Sequence, residues 1–113
     1  MNTVEQSKQG AVTVIRCGEL LAEDRIAAVS EALECCLHKG IPMAVLDLQN
    51  TQLIDSEGLE LLLDTSEQFR RRGGAVKLAM PTDLCAEILS LTMVEQEIQI
   101  FDNSNQAVRS FVR

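Results

Sequence analysis

Apolar and polar positions along the chain follow two different periods, and the switches between them mark out the elements. Ala11-Val12-Thr13-Val14-Ile15-Arg16 is β-branched and alternating, which predicts a strand that Gly18 ends. From Asp24 to His38 the apolar residues Ile26, Val29, Leu33, Cys36 and Leu37 fall at helical spacing, and Gly40 and Pro42 close that helix. Met43-Ala44-Val45-Leu46-Asp47-Leu48 is a short apolar run between turn signals, as in a central strand buried on both faces. The polar stretch Gln49-Asn50-Thr51-Gln52 leads to Leu53-Ile54, and a second helix opens at Asp55-Ser56-Glu57-Gly58. Its predicted stripe is Leu59, Leu62, Leu63, Ser66 and Phe69, and Gly73-Gly74 ends it.

Ala75-Val76-Lys77-Leu78-Ala79 reads as another strand, and Thr82 or Asp83 is placed to cap a third helix carrying Leu84, Ile88, Leu89 and Leu91. Ile98-Gln99-Ile100-Phe101 is the last expected strand, followed by a short helix capped by Ser104 and bearing Ala107, Val108 and Phe111. Strand and helix thus alternate to the end of the chain, the order of an α/β fold. Connections this short favour parallel crossovers, so the pattern alone predicts a parallel sheet.

Composition agrees with that picture and narrows the chemistry. The 113 residues, 46% apolar and 24% charged, suit one domain over residues 1–113 and exclude a disordered or collagen-like chain. No run nears the ~18 consecutive apolar residues of a membrane span. Met1-Asn2-Thr3-Val4-Glu5-Gln6 has neither the basic start nor the apolar run of a secretion signal, so the expectation is a soluble cytoplasmic domain. Ten Lys and Arg against seventeen Asp and Glu leave a net charge of −7, which disfavours nucleic acid and bare membrane as partners. The one basic run, Arg70-Arg71-Arg72, sits where cations complement a helix C-terminus. Cys17, Cys35, Cys36 and Cys85 form no CxxC pair and read as structural thiols. The single histidine, His38, with Cys35 makes only two candidate ligands, so neither a metal nor any other cofactor is expected, and no base is at hand for an enzyme nucleophile.

The informative segment is Leu53-Ile54-Asp55-Ser56-Glu57-Gly58-Leu59, where a strand ends and a helix starts. Asp55 or Ser56 can accept the first free backbone N–H groups, and a negative Glu57 in the first turn is favoured by about 0.3–1 kcal/mol through the helix dipole. A capped helix start accounts for these residues without any function. The same geometry would also receive a phosphate, bound or attached to a serine. Gly58 costs roughly 1 kcal/mol against alanine inside a first helical turn, so something approaches it closely.

At this point the residues resemble a known family. Gly18-Glu19-Leu20, Val45-Leu46-Asp47-Leu48, Ile54-Asp55-Ser56-Glu57-Gly58-Leu59, Gly73-Gly74 and Phe101-Asp102 occur in the order and spacing of a STAS domain, specifically the free-standing anti-sigma factor antagonist type. The resemblance implies a compact α/β fold with about four helices and a mixed, mostly parallel sheet whose first strand is antiparallel at an edge. It also implies a bacterial regulatory protein without catalytic activity. Such members capture an anti-sigma factor that is also an ATP-dependent serine kinase, and phosphorylation at the second serine of the signature I-D-S-S-G-L breaks the capture. This chain departs there: Glu57 stands at the phosphoacceptor position, Ser56 matches the preceding serine, and Asp55, Ser56, Glu57, Gly58 and Leu59 would form the partner-binding turn. Glu57 would then act as a fixed charge, phosphorylation would move to Ser56, or the switch would be lost. Further departures are Leu21, where many members carry an acidic residue, and Met93-Val94-Glu95, where a glycine-containing turn is usual.

The leading expectation is therefore a non-enzymatic module that docks a kinase-type anti-sigma factor. The alternative is the cytoplasmic STAS subunit of a lipid-trafficking ABC transporter, which would bind the ATPase. An enzyme lacks its convergent acid, base or nucleophile here, and a nucleotide sensor lacks a glycine-rich phosphate loop.

Overall fold

The computed structural model of the chain describes residues 4–38 and 40–112; the first three residues, where the sequence was read for a leader, lie outside the described residues. A hairpin comes first. β1 (Glu5–Gln9) and β2 (Val12–Arg16) pair antiparallel from Gln9↔Val12 to Glu5↔Arg16. Gly10 sits in their turn at φ +63°, a region that glycine enters without steric cost. β1 was not visible in the hydrophobic pattern because it has no apolar face: its five residues are all polar and all exposed.

The chain continues through β3 (Leu20–Leu21), α1 (Arg25–Leu37), β4 (Met43–Asp47), β5 (Leu53–Ile54), α2 (Ser56–Arg71), β6 (Ala75–Ala79), α3 (Asp83–Leu91), a 3-10 turn at Val94–Gln96, β7 (Ile100–Phe101) and α4 (Ser104–Arg109). The main sheet has the order β1-β2-β4-β6-β7, antiparallel at β1 and parallel elsewhere. β3 and β5 form a separate parallel pair. The parallel sheet expected from the pattern is thus corrected to a mixed α/β sheet, the arrangement that the resemblance implied.

β4 is buried on both faces as its composition required: Ala44, Val45 and Leu46 are fully covered. On one side Ile15, Leu46 and Leu78 meet Leu33 of α1, Leu62 and Phe69 of α2 and Leu89 of α3 in the larger core. On the other, Val12, Val14, Val45 and Ala79 pack beneath Ala107, Val108 and Phe111 at the C-terminal end.

α2 turns differently from its predicted stripe. α2 buries Gly58, Leu62, Thr65 and Phe69, while Leu63 points to solvent and Leu59 and Ser66 are half-buried. Gly58 lets the start of this line approach the Leu21 carbonyl closely and Thr65 is buried beside α1, and an apolar count passes over both. α3 buries Cys85 and Leu89, leaving Leu84 and Leu91 exposed. Of the two residues placed to cap α3, Thr82 does so, accepting from the Cys85 N–H at 3.3 Å. Asn103, not Ser104, caps α4 through the Gln106 N–H at 2.8 Å. Ser104 Oγ instead donates to Asp47 Oδ2 at 3.1 Å. The last strand is shorter than expected, with Ile98 in the core and the Gln99 carbonyl accepting from the Leu78 N–H at 2.9 Å.

The basic run does what a helix end asks of it. Arg70 and Arg71 reach back to Glu67, and Arg72 donates to the Leu37 carbonyl at 2.8 Å, tying the ends of α1 and α2 together. Just beyond, Gly73 has φ +83° in open space, whereas a Cβ on Gly74 would stand 1.8 Å from the Pro42 carbonyl oxygen. That carbonyl accepts the Ala75 N–H at 3.1 Å, so the approach is part of the β6 entry. Lys77 is the one buried lysine among the described residues. Its Nζ donates to Ser110 Oγ at 2.7 Å and lies 4.1 Å from the centre of the Phe111 ring, holding the C-terminal end onto the sheet.

Two outcomes follow from this packing. Gly74→Ala should destabilise the fold well beyond Gly73→Ala, which is expected to cost about 1–2 kcal/mol for its positive φ. Urea denaturation of both variants checks the order, and equal losses would contradict it. Burial also holds the Lys77 ammonium below the usual value of 10.5. Between the lowered value and 10.5 the unfolded chain binds more protons, so this group's contribution to stability rises with pH across that window. Wild type should therefore gain stability relative to Lys77→Met on going from neutral to alkaline pH; parallel pH curves for the two proteins would exclude it.

Candidate functional site

The turn singled out in the sequence is built by a segment far from it in the chain. Gly18, at φ +80°, reverses the chain after β2 and aims its carbonyl at the buried Thr51, whose hydroxyl donates to it at 2.7 Å. The Gln52 N–H donates to the Glu19 carbonyl at 2.6 Å, Leu20 and Leu21 pair with Leu53 and Ile54, and the Asp55 N–H donates to the Leu21 carbonyl at 3.3 Å. The Thr51 carbonyl in turn accepts from the Thr82 hydroxyl at 3.1 Å and from the Cys85 thiol at 3.2 Å. The start of α2 is thereby fixed to the β2–α1 connection on one side and to the start of α3 on the other.

Within the turn the residues divide by what they face. Asp55 is the N-cap, its Oδ1 accepting from the Gly58 N–H at 2.8 Å, which resolves the choice left open between Asp55 and Ser56. Gly58 is buried, and a Cβ there would stand 2.1 Å from the Leu21 carbonyl oxygen and 3.0 Å from Ile54 Cγ2. The close approach inferred from this glycine is made by the protein's own backbone. Leu59 is half-buried and packs against the core. Ser56 and Glu57 alone of the five are exposed, in the first turn of α2. Among the described residues their two backbone N–H groups find no partner, and the Glu57 carboxylate lies at the positive end of the helix. Leu21, by contrast, is fully buried, so at that position the chain presents no charge beside the turn.

The remaining candidates for chemistry are dispersed. Cys17, Cys36 and Cys85 are buried, as structural thiols should be, but Cys35 is exposed, which corrects its reading as a structural thiol. Burial first, and the Asp47 carboxylate second, push the Cys17 thiol up to about 12, so it stays protonated. His38 is exposed at the end of α1, and among the described residues no group of three His, Cys, Asp or Glu side chains is placed to hold a metal ion. Sequence reasoning missed Asp47 as a buried carboxylate. Its Oδ1 accepts from the Gln49 N–H at 2.9 Å, and its Oδ2 accepts from Ser104 and faces Arg16 Nε at 3.7 Å. That joins β2, β4 and α4 and leaves no oxygen free for a ligand. Among the described residues no helix is long and apolar enough to cross a membrane.

Substitutions should separate the two classes of residue at the turn. Asp55→Ala is expected to cost about 1 kcal/mol of stability and Gly58→Ala roughly 2 kcal/mol or more, since the new methyl group must displace backbone. Ser56→Ala should stay within about 0.5 kcal/mol of wild type. Thermal or urea unfolding reads all three, and a neutral Gly58→Ala would refute the packing role.

Known proteins share this architecture. The family described as the STAS domain matches residues 3–107. An anti-sigma factor antagonist (STAS) domain protein from Planctomyces limnophilus superposes with a TM-score of 0.83 at 16% identity, covering 97% of this chain and 98% of that one. SpoIIAA, an anti-sigma factor antagonist and Bacillus cell fate determinant, superposes in its unphosphorylated form with a TM-score of 0.80 at 12% identity, covering 96% of both chains. Part of the murine solute carrier 26 family member A9 anion transporter also matches, with a TM-score of 0.70 at 17% identity, covering 90% of this chain and 18% of the transporter. No curated protein sequence matches significantly. At these identities the structures share the fold, and the family match over most of the chain decides its membership: the chain belongs to the STAS domain family.

Proposed function

We propose that the chain is a non-enzymatic, cytoplasmic regulatory module that docks a kinase-type anti-sigma factor through the start of α2, with Glu57 as a permanent negative charge in place of a phosphorylatable hydroxyl. The observation that carries this reading is the division of labour in the turn. Asp55 and Gly58 are committed to holding the helix start against β3, while Ser56 and Glu57 face outward from a support that cannot easily move. A rigid, outward first turn suits recognition by a partner better than it suits catalysis, for which no base or nucleophile stands nearby. Asp55, Ser56, Glu57 and Leu59 then present the contact surface, and Gly58 sets its height.

Glutamate reproduces a phosphoryl group only in part, with one charge and two oxygens against about −1.5 to −2 and three. The module would therefore rest in a weak-binding state, as a phosphorylated antagonist does. The transporter reading keeps one supporting observation, the shared fold of a domain within an anion transporter.

Affinity capture from the source lysate with wild type and Glu57→Ser, followed by titration against the purified captured protein, separates these readings. Recovery of a serine-kinase anti-sigma factor, bound about tenfold or more tightly by Glu57→Ser, is the expected result. With ATP that kinase should label the introduced hydroxyl and leave wild type unlabelled. Stoichiometric labelling of Ser56 in wild type would overturn the fixed-charge reading. Recovery of an ABC ATPase irrespective of residue 57 would move the protein to the transport role.

A further inference from the structure

A second surface, away from the α2 turn, carries features that the signature does not explain. Because α3 turns Cys85 and Leu89 inward, Leu84, Ile88 and Leu91 line a neighbouring face at i, i+4 and i+7 spacing. Leu84 is 52% exposed and Leu91 76%, unusual for leucines, and Ile88 is half-buried between them. Met93 follows two residues past the helix end, 57% exposed. It does so at φ +64°, in the left-handed region that favours glycine. A strained backbone position is here occupied by a long apolar side chain facing water, where glycine would relax the turn. Packing within the chain gives no reason for that choice.

The charges around the stripe say what covers it. From Leu78 to Val108 the sequence contains no lysine, arginine or histidine, but it contains Asp83, Glu87, Glu95, Glu97 and Asp102. All five carboxylates are exposed, and among the described residues none is in a salt bridge. Asp83 and Glu87 share α3 with the strip and Glu95 follows in the 3-10 turn, and an apolar strip with that acidic border matches a ligand with the opposite rim. A second copy of this chain would bring the same carboxylates face to face across a two-fold axis, and an anionic bilayer would be repelled outright.

We propose that the outer face of α3, from Leu84 through Ile88 and Leu91 to Met93, is a docking surface for a basic amphipathic helix of a partner protein. Leucine and isoleucine provide the ridge, Met93 adapts to the incoming side chains, and the surrounding carboxylates pair with lysine or arginine on the partner's rim. The surface contains none of residues 55–59, so it stands or falls independently of the docking proposed for the α2 turn.

A displayed library of helical peptides, with apolar residues fixed at i, i+3, i+4 and i+7 and the other positions randomised, tests this on the whole chain. Selection should enrich net-basic peptides whose affinity falls with added salt. Those peptides should bind Leu91→Ser and Met93→Gly roughly tenfold more weakly, and Glu57→Ser equally well. Met93→Gly is the decisive variant, because it is expected to raise thermal stability while it lowers binding. Enrichment of acidic or neutral peptides, no enrichment, or equal retention on Met93→Gly would overturn the proposal. So would a self-association that Leu91→Glu abolishes, which would assign the face to a second copy. Co-sedimentation with phosphatidylglycerol vesicles that Leu91→Glu prevents would likewise assign it to lipid.

Discussion

The approach of the Leu21 carbonyl to the first turn of α2 is the contact on which the candidate site rests. One oxygen accepts the Asp55 N–H and faces Gly58 at a distance no side chain tolerates. It requires β3 and β5 to pair in one register, which places Thr51 inward and Ser56 and Glu57 outward. A buried carbonyl left without its donor would cost about 1–3 kcal/mol, so the two segments are held to each other rather than merely adjacent. Gly18 and Thr51 extend the same tie, and Thr82 and Cys85 carry it on to α3. The site is thus a joint between three connections at the ends of strands, made by backbone groups more than by side chains.

The sheet divides the molecule into unequal halves. The side facing α1, α2 and α3 holds most of the buried aliphatic residues, with Phe69 as its largest member. Among the described residues the opposite side is covered by α4 and the C-terminal residues, and there the sequence uses a lysine. Lys77 can be buried because its ammonium donates a hydrogen bond to Ser110 Oγ and the Phe111 ring faces the charge. Asp47 lies on that same face of the sheet and is satisfied in the same way by Ser104, the Gln49 N–H and Arg16. Two polar anchors, each reaching across to α4, hold the thinner layer in place.

Exposed and packed residues are separable at the α2 turn because the helix geometry sends neighbouring residues in different directions. The negative charge at Glu57 sits where a helix start stabilises it, so the position proposed for recognition carries a residue with a structural benefit. The α3 face differs, since Leu91 and Met93 contribute little to the core and Met93 strains the backbone. Glu57 is consistent with the fold's own needs, whereas the α3 stripe runs against them.

The sequence by itself determined the elements whose hydrophobic period is strong. β2, α1, β4, α2, β6 and α3 were legible because each must bury one face or both, and the glycines and Pro42 that delimit them act through local backbone sterics. Combined order and spacing of the short motifs carried the family resemblance, and with it the mixed sheet. Only the tertiary structure decided the rest. β1 is polar throughout and β3 has two residues, so no periodicity could reveal them, and the strand end read at Leu53-Ile54 could not show that β5 pairs with β3 outside the main sheet. The rotation of α2 and α3 turned Gly58, Thr65 and Cys85 inward, small residues that hydrophobicity undervalues. Asp55 and Ser56 were equivalent as caps until φ and ψ were fixed, and the partner of Gly58 lay more than thirty residues away, at Leu21. Local patterns record what each segment must bury; which segment it is buried against is settled only when the chain closes on itself.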